Sequence, residues 1–388
     1  MSYYEYHVAK RYVQFEGALE ELPRYAALIG KKILVITACV PVYDLVLDKI
    51  KRGIGKTSAE LLQADLLESS PRYASYKGMS ETLDEVRRET VYGFYDIGDM
   101  VVSESNVRRV AEMVKEEGYD TVVGIGGGKG MDFARAITHF TPVKVILVPT
   151  LCATNASIST LSVIYDDTGR TIREYWRMNN APELVLADTE ILVKNGPKIL
   201  AAGIGDIVST YYEGICNVRM AGLEDRFADL SYEGIKMGVE IMKKKGPLAI
   251  EAAKRGEITP EFESIVSMIL HNPGPMWTIC TLGFAHVLDE VFLYFDGVHS
   301  CMHGLRVGMA VQMMLGYTGA PEEEIRSYKE FLENVGIPTT LAEIGLTDVT
   351  KEMLEEAVEN TIMKSGTLGS LPFEVTKEEI INILLKAE

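Results

Sequence analysis

The sequence predicts an α/β domain followed by an all-α domain. Over the first 150 residues, short apolar runs alternate with amphipathic stretches, the pattern of parallel strands joined by helices. One of those runs passes straight into a cluster of glycines. From about residue 190 onward the β-branched runs give way to Ala, Glu, Lys, Leu and Met at helical spacing. With 388 residues and 47% hydrophobic content the chain can bury a sizeable core, and its length suits two or three domains.

The first clear strand is Ile33-Leu34-Val35-Ile36, after a Gly-Lys-Lys turn. A charged, tyrosine-bearing stretch from about 58 to 96 fits neither pattern and reads as an insertion. Val107, Val110, Met113 and Val114 mark one face of a helix that ends at Gly118. Asp120 to Ile125 and Val143 to Val148 read as buried strands, the second closed by Pro149-Thr150. In the helical half, Gly246-Pro247 and Pro273-Gly274-Pro275 are expected to act as punctuation. The division this implies is 1–165 for the α/β domain and 166–388 for the helical one.

A formal net charge of -17 sets up a field that repels nucleic acid and anionic lipid, so neither is an expected partner and a small molecule is. The opening MSYYEYHVAKRYVQFEG lacks the basic-then-apolar layout of a secretory signal, and no run is long and apolar enough to span a bilayer. The five cysteines are widely spaced with no CxxC pair, which suits free thiols in a reducing compartment. A cytoplasmic homo-oligomer is expected.

Val122-Val123-Gly124-Ile125-Gly126-Gly127-Gly128-Lys129 and the following Gly130 to Ala136 read as strand, glycine turn and helix start. Residues without Cβ let backbone N–H groups and the positive end of the helix approach a pyrophosphate. Gly126, Gly127, Gly128 and Lys129 are therefore candidate phosphate contacts, with Asp132 counted beside them in the first turns of the helix. The spacing is neither GxGxxG nor a Walker loop, and a tight turn without a ligand is the alternative.

Four of the six histidines, His271, His286, His299 and His303, fall within 33 residues. Two imidazoles and one carboxylate suffice for a catalytic divalent metal that keeps a position open. Asp206, set among small and apolar residues in Leu200-Ala201-Ala202-Gly203-Ile204-Gly205-Asp206-Ile207-Val208, is the candidate acid, because a lone buried charge is costly. It could equally cap the helix that follows. His286 alone would pass for a core histidine. His299 and His303, four apart, share a helical face, so either could be a ligand with the other supporting it.

The GGGK turn, the Pro-Thr strand end, the AGIGD segment, the AH pair and the HG pair, in this order, resemble those of the group III iron-containing alcohol dehydrogenases, and most of all the glycerol dehydrogenases among them. Leu161-Ser162-Val163-Ile164-Tyr165 and Asp188-Thr189 add to the likeness, which spans nearly the whole chain apart from the apparent insertion. It implies the dehydroquinate synthase-like fold: an N-terminal nicotinamide-dinucleotide-binding domain, a C-terminal helical domain, and metal and substrate in the cleft between them. It also implies Asp206, His286 and His303 as ligands of one zinc or iron. Contacts to NAD(H) or NADP(H) are implied at Gly128, Lys129, Thr150, Ser159, Leu161 and Tyr165. The activity implied is interconversion of a small polyol or alcohol and its ketone or aldehyde, with hydride passing to the nicotinamide.

Three departures from the family pattern stand out. The acid expected after the first strand to hold the adenosine ribose is missing from Ile36-Thr37-Ala38-Cys39, which leaves NAD against NADP open. Asn155, with Ala153 two residues before it, stands where glycerol dehydrogenases carry an aspartate that contacts the polyol. Asn155 is thus the expected substrate-orienting residue beside His286, and its neutrality makes a 2-hydroxy or 2-oxo acid the alternative substrate. Asp289 stands where a second histidine is common, so proton transfer would fall to His271, His299 or water. More remote alternatives are a dehydroquinate synthase-type lyase, for which Lys243-Lys244-Lys245 would be the only basic cluster on offer and reads instead as a solvated helix end, and a non-catalytic relative.

Overall fold

Six parallel strands and the helices that cover both of their faces make up the first of two compact units. The computed structural model describes residues 9–38, 40–55, 90–169, 172–224, 229–276, 283–365 and 367–386. The strands are β1 (Tyr12–Phe15), β2 (Lys32–Thr37), β3 (Val91–Asp96), β4 (Thr121–Gly126), β5 (Lys144–Pro149) and β8 (Leu184–Asp188), in the order β1-β8-β5-β4-β2-β3. Strands β6 (Leu161–Tyr165) and β7 (Ile172–Arg177) pair antiparallel as a separate hairpin.

Alternation along the central strands sends side chains to both faces. Ile33, Val35, Val123, Ile125, Ile146 and Val148 face one way, against Leu19, Leu22 and the Val46 and Ile50 of α2 (Val40–Gly55), α1 being Leu22–Ala27. Leu34, Ile36, Val122, Val145 and Leu147 face the other way, against Val107, Val110 and Val114 of α3 (Glu104–Glu116) and Met131, Phe133 and Ile137 of α4 (Gly128–Ile137). Burial on both faces is what makes these strands uninterrupted apolar runs.

The second unit is helical: α5 (Gly196–Met220), α6 (Asp229–Arg255), α7 (Pro260–Leu270), α8 (Phe284–Phe292), α9 (His303–Tyr317), α10 (Glu322–Val335), α11 (Lys351–Asn360) and α12 (Lys377–Leu385) are its longer elements. Every residue of α5 from Leu200 to Val218 is buried, so this helix is the hub of the unit. It packs on α6, α7 and α9.

Four expectations need correction. The compact units are His7–Leu151 with Ala156–Leu192, and Cys152–Asn155 with Val193–Glu388, so the main division falls at 192/193 rather than 165/166. A break after Tyr165 would separate β6 from its partner β7 and leave out β8, which lies between β1 and β5. Of the stretch read as an insertion, Val91–Asp96 is the edge strand β3 of the main sheet; residues 56–89 lie outside the described residues. Gly246-Pro247 does not end a helix, since α6 runs through both. Packing of α6 on α5, α7 and α10 holds the turn from which Pro247 removes an N–H. Lys243 to Lys245 therefore sit inside α6 rather than at a helix end, with Lys243 and Lys245 bonded to Ser327 and Ser264.

Candidate metal centre and glycine loop

Asp206 and His303 meet because two helices cross with almost no side chain between them. A Cβ on Gly205 would lie 2.1 Å from the Gly304 carbonyl oxygen, and one on Gly304 would lie 1.9 Å from that of Ala202. Only glycine allows such an approach. It sets Asp206, the next residue on α5, beside His303, the first residue of α9, with Asp206 Oδ1 3.5 Å from His303 Nε2. Asp206 lies well inside α5, so it is not that helix's cap. Its Oδ2 accepts the Asn155 backbone N–H at 3.2 Å, which brings Asn155 to the same carboxylate.

His286 comes from the first turn of α8. Its backbone N–H donates to Glu213 Oε1 at 2.9 Å and its ring Nδ1 lies 2.7 Å from Glu213 Oε2. Glu213 is fully buried on α5, seven residues after Asp206 and therefore on much the same face. A carboxylate only accepts, so Nδ1 carries the proton and the Nε2 lone pair of neutral His286 is left for a cation. His303 is held the same way: its Nδ1 lies 2.8 Å from Asp289 Oδ2, and Asp289 is clamped by Arg306 at 2.6 and 3.1 Å. Arg306 also donates to the Cys301 carbonyl. One potential ligand atom from each of Asp206, His286 and His303 lies within 4.8 Å of the others.

Electrostatics fit a cation. Burial opposes a charged His286, yet Glu213 overrides it and, with Asp206 and Asp289, raises the imidazole to about 9. Burial also raises Asp206, against the pull of His303 and His286. Asp289 pays the same burial cost, but its bonds from His303 and Arg306 bring it down to about 2. Three carboxylates against one guanidinium leave two negative charges, which one divalent cation with neutral imidazoles would balance; loading such an ion would displace a proton from His286. The donor set and its charge therefore suit a divalent metal. The His303 side chain is 41% exposed, against 13% for His286, so approach to the cluster is open on the His303 side.

His299 lies in a short 3₁₀ turn (Asp296–Ser300) and is not one of the clustered residues. His271 ends α7, with Nδ1 3.3 Å from the Asn272 side-chain oxygen. Glu213, Asp289 as an anchor, and Arg306 escaped the sequence reading. Their spacing was the available signal: seven from Asp206, three from His286 and three from His303.

In the α/β unit, β4 delivers the glycine turn at the carboxyl end of the sheet. Gly126 has φ +153°, a conformation other residues rarely adopt, and Gly127 is the extended N-cap of α4. Thr150, at the end of β5, is buried and donates its N–H to the Gly126 carbonyl at 2.9 Å. Lys129 reaches the Gly98 carbonyl at 3.0 Å. The Asp132 carboxylate is buried and committed to the protein, with Oδ1 on Arg135 at 2.7 Å and Oδ2 accepting the Val163 N–H at 3.2 Å. Arg135 in turn donates to the Leu161 and Ala156 carbonyls. This network ties α4 to β6, and so fixes Ser159, whose Oγ accepts the Leu161 N–H at 2.9 Å, and Tyr165, whose N–H goes to the Val102 carbonyl.

Comparison with known proteins gives the family. Residues 74–189 match the family model described as iron-containing alcohol dehydrogenase, a span that contains the glycine loop and stops short of the metal cluster. The chain is 33% identical over 289 residues to glycerol dehydrogenase of Thermotoga maritima, covering 74% of this chain and 79% of that protein. The chain belongs to the iron-containing alcohol dehydrogenase family. Glycerol dehydrogenase of Citrobacter freundii is similar at 32% identity over 291 residues, 74% of this chain and 79% of that one. The crystal structure of glycerol dehydrogenase from Schizosaccharomyces pombe shares the fold, with a TM-score of 0.81 at 21% identity over 100% of this chain and 91% of that one. The chain is thus an alcohol or polyol oxidoreductase of this family, dependent on a nicotinamide dinucleotide and a divalent metal. Among the described residues no helix is long and apolar enough to cross a membrane.

Proposed function

We propose that Asp206, His286 and His303 hold the divalent cation, zinc or iron, and that the chain interconverts a small polyol and its ketone or aldehyde. The observation that carries this reading is the three-residue cluster in which both imidazoles are anchored through Nδ1 by buried carboxylates. When bound, the cation supplies the Lewis acidity that eases loss of the alcohol proton, and the nicotinamide takes the hydride. The protein's part is to orient and to hold. Glu213 and the Asp289–Arg306 pair fix the two rings, and Asn155, tied to Asp206 through its backbone, turns its amide toward the substrate. Gly126, Gly127, Gly128 and Lys129 bind the pyrophosphate through N–H groups and one ammonium, with Thr150, Ser159, Leu161 and Tyr165 along the rest of the dinucleotide and Asp132 bracing the helix.

Elemental analysis tests the cation site: His286→Ala and His303→Ala lose stoichiometric metal while keeping the helical circular-dichroism signal, and full occupancy in either variant refutes the assignment. The neutral Asn155 favours a second reading, a 2-hydroxy or 2-oxo acid as substrate, because no negative side chain at that position repels a carboxylate. Turnover across polyols, simple alcohols and 2-oxo acids separates the two. The free thiols of Cys152, Cys216 and Cys301 support a cytoplasmic setting.

A further inference from the structure

We propose that Asp96 receives the adenosine ribose hydroxyls and makes this chain select NAD over NADP; the assignment rests on the dinucleotide reading of the glycine loop. In doubly wound sheets the discriminating carboxylate stands at the carboxyl end of the strand beside the glycine-loop strand, where it accepts from the 2′-hydroxyl and repels a 2′-phosphate. Here β2 is that strand, since it pairs directly with β4 and sets Thr37 opposite Ile125. Its end offers Thr37 and Ala38, and neither is acidic. The position itself is against the loop: Cβ atoms placed on Gly126 and Gly130 would lie 3.5 and 3.0 Å from the Ala38 Cβ.

The carboxylate comes from the next strand. The register of β2 and β3 sets Asp96 opposite Thr37, each the last residue of its strand. Asp96 is exposed at that edge, with Oδ1 3.2 Å from the Thr37 hydroxyl and 3.0 Å from the Gly98 N–H. Gly98 is in turn the residue whose carbonyl binds Lys129. Asp96, Thr37 and the glycine loop therefore form one continuous polar rim at the carboxyl end of the sheet. The missing acid of β2 is replaced in space by an acid of β3, with the Thr37 hydroxyl fixing its orientation.

The test is equilibrium binding of NAD and NADP, followed by calorimetry with no alcohol present, to the wild type, Asp96→Asn and Asp96→Ala. Asn keeps an acceptor for Thr37 and Gly98 and removes only the charge, so it separates recognition from support of the turn. The wild type prefers NAD by about tenfold or more, as a hydrogen bond to a charged group implies. Asp96→Asn tightens NADP binding and narrows the preference, while Asp96→Ala also weakens NAD by about tenfold. A wild type that prefers NADP, or an unchanged NAD-to-NADP ratio in both variants, overturns the assignment and leaves the dinucleotide reading standing. A wild type that binds neither nucleotide overturns both.

Discussion

The metal cluster and the glycine loop are built from opposite materials. In the helical unit the proposed metal site rests on side chains: three candidate ligands, each braced by another buried group or by a helix crossing, in a setting with an excess of negative charge. In the α/β unit the proposed cofactor contacts rest on backbone, where Gly126 takes a φ that other residues rarely adopt and Gly127 is the extended N-cap of α4. The first design depends on which atoms each residue carries, and the second on what residues lack. Isosteric changes in chemistry should therefore cripple the cluster and barely touch the loop.

Asp206→Asn gives the largest contrast. The amide keeps the size of the carboxylate and an acceptor for the Asn155 N–H, but it removes the one anionic member of a candidate ligand set whose other two members would bind a metal as neutral imidazoles. Metal content falls to substoichiometric levels and turnover drops by roughly a thousandfold or more, because the Lewis-acid contribution is lost. Binding of the dinucleotide is unchanged. Elemental analysis and nucleotide titration on the same preparation check both halves, and loss of nucleotide binding alongside the metal would erase the contrast.

Glu213→Gln probes a layer further out. Glu213 accepts twice from His286, from its backbone N–H and from ring Nδ1. A glutamine has one oxygen for two donors, so its NH₂ must face either the backbone N–H or Nδ1. In the second arrangement the ring shifts its proton to Nε2 and cannot bind a cation there. Affinity for zinc, measured by competition with a chelator, falls by about ten- to a hundredfold, the usual cost of removing a partner that orients a metal ligand. Affinity within twofold of wild type would show that burial alone holds the ring.

The same division explains what could be read from the sequence. Ile33–Ile36 and Asp120–Ile125 were legible because strands covered on both faces need uninterrupted apolar runs. Strand β3 was not, since an edge strand with mixed burial mingles tyrosines, glycine and exposed apolar residues. Gly246-Pro247 misled because local breaking signals yield when neighbouring helices hold the turn. In the cluster, Asp206, His286 and His303 were legible through the order of motifs, whereas Glu213 and Arg306 were lost among ordinary charged residues of their helices. Asp206 stands out among small and apolar neighbours, whereas the burial of Glu213 and Arg306 shows itself only once the helix faces are known.

Lys129 gives the smallest effect and the sharpest test of the loop. Its ammonium is exposed and bonded to the Gly98 carbonyl, so under the proposed reading it adds only a solvent-screened point charge to a phosphate that backbone N–H groups and the helix end would meet. Lys129→Met weakens dinucleotide binding by about two- to fivefold at low ionic strength, as expected for a single screened charge. Most of that difference disappears at about 1 M salt, where screening acts over only ~3 Å. Titration of the dinucleotide at both salt concentrations checks this. A loss much greater than tenfold that persists at high salt would mean that the lysine, not the backbone, dominates the loop, and the contrast with the metal cluster would then be one of degree rather than of kind.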